Sequence, residues 1–275
     1  MAAFEDVLVI VDISHGCEAR VDFAASVAAR FGAHLTGLFI SPPPDVPPMV
    51  DPPAAAALLL QQEMEIQADA RARAHDLFTR LVTGRGVTAE WRVAEGEPGH
   101  VATLHARYAD LTVIGQIAPD EPTVVPVDLP ERVVMGAGRP VLVVPYAGTF
   151  ETLGERVLVG WNEGREAAHA VHAAMPFLET ALKVTVLTLN AEDDDDGPVR
   201  QLVQHLSRHG VEAEPSVMKS DDIDIGALLL SRAADLAADL LVMGAYGHSR
   251  LREVVLGGAT REIFRSMTLP VFMVH

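Results

Sequence analysis

The residues best placed to do chemistry lie near the C-terminus, where Val242-Met243-Gly244-Ala245-Tyr246-Gly247 is followed by Gly257-Gly258-Ala259-Thr260. An apolar strand running into a Gly-x-x-Gly turn, with a second glycine pair opening the next helix, suits a polyphosphate. Glycine lets the backbone approach a ligand closely, and the free N–H groups of a helix start, with the positive end of its dipole, favour anions. Between the glycine pairs, Ser249 and Arg250 supply a hydroxyl and a cation that can also face phosphates. No Lys-Ser/Thr follows the last glycine, so the pattern is not a Walker A loop.

Other constellations carry less. Ser14-His15-Gly16-Cys17 sets a hydroxyl, an imidazole and a thiol beside Asp12, the raw material of nucleophilic catalysis. At a strand-to-helix turn these neighbours read better as a helix start capped by Ser14, because no separate base or oxyanion partner can be identified. The acidic run Asp193 to Asp196, ahead of Gly197-Pro198, reads as a solvated loop. His169 and His172, like His205 and His209, have helical spacing, but a zinc site needs a third ligand that is not evident. Trp91 and Trp161 read as packing anchors, with Trp161, next to Asn162, alternatively bordering an adenine pocket.

The chain that must position these groups has 275 residues, 49% hydrophobic and 21% charged, a globular composition with room for two cores. A formal net charge of -17 argues against nucleic acid and against anionic membranes, both of which demand a basic surface. No apolar run approaches the roughly 18 residues of a membrane span. Cys17 is the only cysteine, which excludes an intrachain disulfide and fits a reducing cytoplasm.

The two halves repeat one another. Val7 to Asp12, an alanine-rich helical pattern to Arg30 and Leu35 to Ile40 are answered by Val157 to Asn162, a helix from Arg165 to about Leu178 and Val184 to Leu189. Asp110 to Gly115 answers Asp239 to Gly244, and Arg139 to Pro145 answers Leu269 to His275. The first half carries extra residues, visible as proline pairs and triplets between Pro42 and Pro53 and a long helix from about Ala54 to Leu81. Continuous Val/Leu/Ile strands separated by helices indicate a parallel sheet buried on both faces, hence a doubly wound α/β fold. The Gly-x-x-Gly turn follows the fourth strand of its half, the switch point if that strand lies beside the first. Two units are expected, residues 1–147 and 153–275.

The duplicated five-strand unit and the Gly244-x-x-Gly247-x9-Gly257 spacing resemble the universal stress protein family in its tandem form. The resemblance implies two adenine-nucleotide alpha-hydrolase-like units of strand order 3-2-1-4-5. They would pack as an intramolecular pseudo-dimer through their last strands, Val141 to Val144 and Val271 to Val274. It further implies ATP or another adenine nucleotide in the second unit. Gly244, Gly247, Gly257 and Gly258 would meet the phosphates and Asn162 the ribose, with Met243 and Ser249 lining the pocket. The chain departs from the family at two of these positions: Gly258 stands where a Ser or Thr is usual, and Asn162 where an acid is usual. In the first unit Asp12 matches, but Gly115-Gln116-Ile117-Ala118-Pro119 and the prolines at 122, 126 and 130 replace the glycine loop. The expectation is a cytoplasmic stress-response or regulatory protein binding an adenine nucleotide, at most a slow ATPase, since no residue is evidently placed to activate water. A scaffold without nucleotide, acting through protein partners, is the second expectation. A homodimer of tandem chains is compatible with both.

Overall fold

The computed structural model describes residues 4–44, 53–119, 126–190, 197–219, 224–247 and 258–275. The first half contains β1 (Asp6–Val11), α1 (Cys17–Phe31), β2 (His34–Ser41), α2 (Pro53–Val82), β3 (Ala89–Glu95), α3 (Pro98–Ala106), β4 (Leu111–Gly115), α4 (Leu129–Ala137) and β5 (Val141–Val144). The second contains β6 (Arg156–Gly160), α5 (Arg165–Ala173), α6 (Met175–Leu178), β7 (Lys183–Leu189), α7 (Pro198–Arg208), β8 (Ala213–Met218), α8 (Ile225–Asp235), β9 (Leu240–Gly244), α9 (Gly258–Ser266) and β10 (Val271–Val274). The helix expected from Arg165 to Leu178 is therefore two. Pro176 has no N–H for the preceding turn, so α5 stops at Ala173 and the proline sits in the first turn of α6, where that donor is not needed.

All ten strands form one sheet in the order β3-β2-β1-β4-β5-β10-β9-β6-β7-β8. Each half has the order 3-2-1-4-5, and neighbours within a half run parallel. The halves join through their last strands, antiparallel, with Val143 opposite Val271, Leu142 opposite Phe272 and Val141 opposite Met273. Every residue of both strands is buried. Strands this apolar would pair with another chain if left at an edge, and here each covers the other.

Because side chains alternate across a strand, the sheet carries two core layers, and each runs through both halves. Val7, Val9, Val157 and Val159 face one, with α1 and α5; Leu8, Ile10, Leu158 and Met243 face the other, with α4 and α9. In the first layer Phe4 meets Phe31 and Phe177 at ring-centroid distances of 5.2 and 5.5 Å, and Phe177 meets Phe272 at 6.1 Å, an aromatic cluster shared by the halves.

The duplication extends to single hydrogen bonds. Asp110, just before β4, accepts from the N–H groups of Glu5 and Asp6 at 3.0 and 3.1 Å. Its counterpart Asp239, before β9, accepts from Glu155 and Arg156 at 3.1 and 2.9 Å. Glu97 and Asp224 likewise cap α3 and α8, each carboxylate taking two N–H groups that the helix itself cannot satisfy.

Candidate functional site

In the second half the strand order reverses between β6 and β9, which lie side by side. Ligands of doubly wound sheets bind beyond the carboxyl ends of the strands at such a reversal, since the loops there diverge and leave a crevice. Asn162 follows β6, Gly244 ends β9, Gly247 closes the turn after it and Gly258 opens α9. The Tyr246 N–H donates to Thr260 Oγ1 at 3.2 Å, which holds this turn against the first turn of α9. Asn162, Gly244, Gly247 and Gly258 thus gather at one end of the sheet, whereas Ser249 and Gly257 lie outside the described residues.

The two described glycines of the turn have different reasons to be glycine. A Cβ on Gly244 would collide with the backbone at Glu166 and Ala167, so this glycine lets α5 begin directly against β9. A Cβ on Gly247 would lie 2.8 Å from Glu166 Oε2 and 3.9 Å from Asn162 Nδ2, at the mouth of the crevice. Asn162 is exposed, and its Oδ1 accepts from the Gly164 N–H at 3.0 Å, leaving the amide nitrogen toward Gly247. Met243 is 6% exposed and packs in the layer with Leu158 and Leu229, beneath the crevice as a floor.

Two further side chains define this end. Glu166, in the first turn of α5, has a side chain only 8% exposed and pairs with Arg165 at 3.0 Å. A bond from its own backbone N–H, opposed by burial and aided by Arg165 and His275, holds its carboxyl below the usual range. Tyr246 takes a positive φ of 54°, and burial, with the Glu131 carboxylate of α4 beside it, raises its phenol well above the ordinary value. The glycine turn of the second half therefore rests against a helix of the first.

The equivalent crevice of the first half, between β1 and β4, is filled from within. Arg20 of α1 is 4% exposed; its Nη2 lies 2.8 Å from Asp12 Oδ2, and its Nε donates to the Ile10 carbonyl at 2.9 Å. The guanidinium lies so close over Gly115 that any Cβ there would collide with it. Asp12 also accepts from the Ser14 N–H at 2.9 Å and from the Ser14 hydroxyl. Burial alone would raise the Asp12 carboxyl, but Arg20 and Ser14 outweigh it and the net shift is downward. Cys17 is buried beside them, and that burial pushes its thiol up to about 11, the opposite of an activated nucleophile. Ser14 does not cap α1 with its side chain as expected, because the hydroxyl is spent on Asp12.

Arg20 and Glu166 belong to none of the motifs read from the sequence. Arg20 carried a signal: a cation inside an alanine-rich helical pattern at a position that its neighbours bury. Trp161 packs with the α5 and α7 layer, on the face of the sheet opposite Met243. With His172 and His205 it lines a separate groove of about 410 Å³. Among the described residues no three His, Cys, Asp or Glu side chains are grouped to hold a metal, and no helix is long and apolar enough to cross a membrane.

A family model described as the universal stress protein family matches residues 3–145 and 155–275. A curated relative, universal stress protein Slr1230 of Synechocystis sp. (strain ATCC 27184 / PCC 6803 / Kazusa), is 26% identical over 145 residues, 51% of this chain and 48% of that protein. The chain thus matches about half the length of that relative. Among solved structures, a universal stress protein from Archaeoglobus fulgidus DSM 4304 superposes with a TM-score of 0.77 at 14% identity, over 98% of this chain and 96% of that one. A functionally unknown protein from Pseudomonas aeruginosa PAO1 does so with a TM-score of 0.57 at 15% identity, over 99% and 93%. At such identities these two bear on the fold alone. With two tandem matches spanning nearly its whole length, the chain belongs to the universal stress protein family.

Proposed function

We propose that the second half binds an adenine nucleotide, ATP among them, and that the chain is a cytoplasmic stress-response or regulatory protein of two units, residues 1–147 and 153–275. The first unit is degenerate as a site and serves as the other's partner. One observation carries this reading: the two crevices are built alike, but among the described residues an arginine fills only the first. Arg20 pairs with Asp12 and fills the first, whereas in the second the same position relative to Asn162 is held by Ala170, a buried core residue with no charge to offer. Gly244, Gly247 and Gly258, with Gly257 and Ser249, would present backbone N–H groups and a hydroxyl to phosphate, Asn162 would meet the ribose and Met243 the base. Turnover is expected to be at most slow.

Isothermal titration of the full chain with ATP and with AMP tests the proposal. Heat with at least one of them is expected, and none with either at high micromolar protein would refute it. Gly257→Val should abolish the heat by blocking backbone approach.

A scaffold acting through a protein partner is the second reading, favoured by the exposed Leu58, Met64 and Ile66 on α2. Titration that gives no heat, together with a partner whose binding is lost in Met64→Asp, would establish it instead.

A further inference from the structure

Among the described residues no arginine plugs the second crevice as Arg20 plugs the first, and an anion stands there instead. Glu166 Oε2 stands 2.8 Å from the Cβ position of Gly247, and Asn162 Nδ2 is 3.9 Å from the same point. The Glu166 side chain is 8% exposed, and the α5 backbone that carries it is pressed against Gly244. Among the described residues, the charged and titratable groups acting on it are Arg165, whose side chain is 72% exposed, and His275, whose Nδ1 lies 3.0 Å from the Ala245 carbonyl oxygen.

Two consequences follow from elementary chemistry. A carboxylate accepts hydrogen bonds and cannot donate them, so it matches the hydroxyls of a sugar. The same carboxylate repels a phosphate, and the repulsion grows with each negative charge brought close to it. Asn162 brings no charge to the place where the nucleotide reading puts the ribose, and Glu166 sets a carboxylate beside the same glycine.

We propose that Glu166 is a specificity-determining residue that accepts from ribose hydroxyls at Gly247, so that the second half takes adenosine or its monophosphate in preference to di- and triphosphates. This rests on the nucleotide reading above and sharpens it. Asn162 and Glu166 together hold the ribose, and the charge of Glu166 limits how many phosphates can follow.

The test is a set of titrations in EDTA, with adenosine, 2′,3′-dideoxyadenosine, AMP and ATP, against the wild-type chain, Glu166→Gln and Glu166→Ala, each shown folded by its thermal melt. Wild-type affinity should fall from AMP to ATP and from adenosine to its dideoxy form. Both variants should bind adenosine roughly fivefold or more weakly, through loss of a charge-assisted bond, and ATP roughly tenfold more tightly, through loss of the repulsion. Adenosine and ATP affinities that do not respond to either variant would overturn the role of Glu166 while leaving nucleotide binding intact. Silence with every ligand in all three proteins would instead overturn the nucleotide reading and this inference with it. If added Mg²⁺ makes ATP bind the wild type more tightly than Glu166→Gln, the carboxylate bridges a cation and the proposed discrimination is wrong.

Discussion

Gln116, at the end of β4 in the first half, donates from Nε2 to the carbonyl of Phe264 in α9 of the second half at 2.8 Å. Its Oε1 accepts from the Tyr146 N–H at 3.3 Å, and the residue is 5% exposed. The family's glycine loop is missing from the first half at this place, and the amide that stands there instead holds the helix that Gly258 opens. Gln116→Leu should lower stability by about 1–3 kcal/mol, the cost of stranding buried polar groups, as read by urea denaturation. Amide exchange in α9 should quicken in the same variant, and an unchanged midpoint with unchanged exchange would deny the coupling.

The Arg20–Asp12 pair predicts an acid limb. Asp12 has a depressed folded pKa, so its contribution is fully present above the ordinary value of 3.8 and is lost as pH falls through the lower folded value. Asp12→Asn strands a buried guanidinium and should cost about 3–5 kcal/mol at neutral pH. Denaturation midpoints between pH 2 and 7 should then fall less steeply below pH 4 in the variant than in the wild type.

Cys17 should be inert in the native protein. With its thiol raised to about 11 by burial, it is protonated at pH 8 and shielded from reagents. A thiol-titrating disulfide reagent should count no reactive group in the native chain at that pH and one after unfolding. Rapid native labelling would contradict the packing around Asp12.

Phe177 is fully buried and touches the rings of Phe4, Phe31 and Phe272. Phe177→Ala should destabilise by about 3–5 kcal/mol, the range for emptying an aromatic core site. Since both halves share these layers, calorimetry should show one cooperative transition, before and after the substitution. Two well-separated transitions would mean that the halves unfold independently.

Gly244→Ala should act on folding before it acts on any ligand. The added Cβ meets the backbone of α5, which cannot rotate away as a side chain would. A loss of roughly 2 kcal/mol or more is expected from such overpacking, measurable in the absence of nucleotide. A variant of normal stability would contradict the tight approach of α5 to Gly244.

Much of this protein was legible in its residues. Continuous Val/Leu/Ile runs between amphipathic stretches leave a strand only one stable setting, a parallel sheet covered on both faces, and the repetition of Val7 to Asp12 in Val157 to Asn162 makes that setting occur twice. The contact of the two last strands is what the family resemblance implies, and an apolar edge that has to be covered gives it a physical reason, whereas its antiparallel sense comes from the structure. The break at Pro176 was overlooked because the hydrophobic period continues across it while the backbone bond does not.

The sites divide differently. That glycines would gather after β9 is local chemistry, written in the spacing of Gly244 and Gly247. Which charge fills each crevice is not local, because a side chain's burial and partners depend on what the fold brings opposite it. Only the tertiary structure lays Arg20 over Gly115, sets Glu166 under Gly247 and hands the Phe264 carbonyl to Gln116 across the two halves. Sequence alone determined two copies of one fold with the glycine turn kept in one of them; three-dimensional packing decided that one crevice is closed by a cation and that the other has an anion at its mouth.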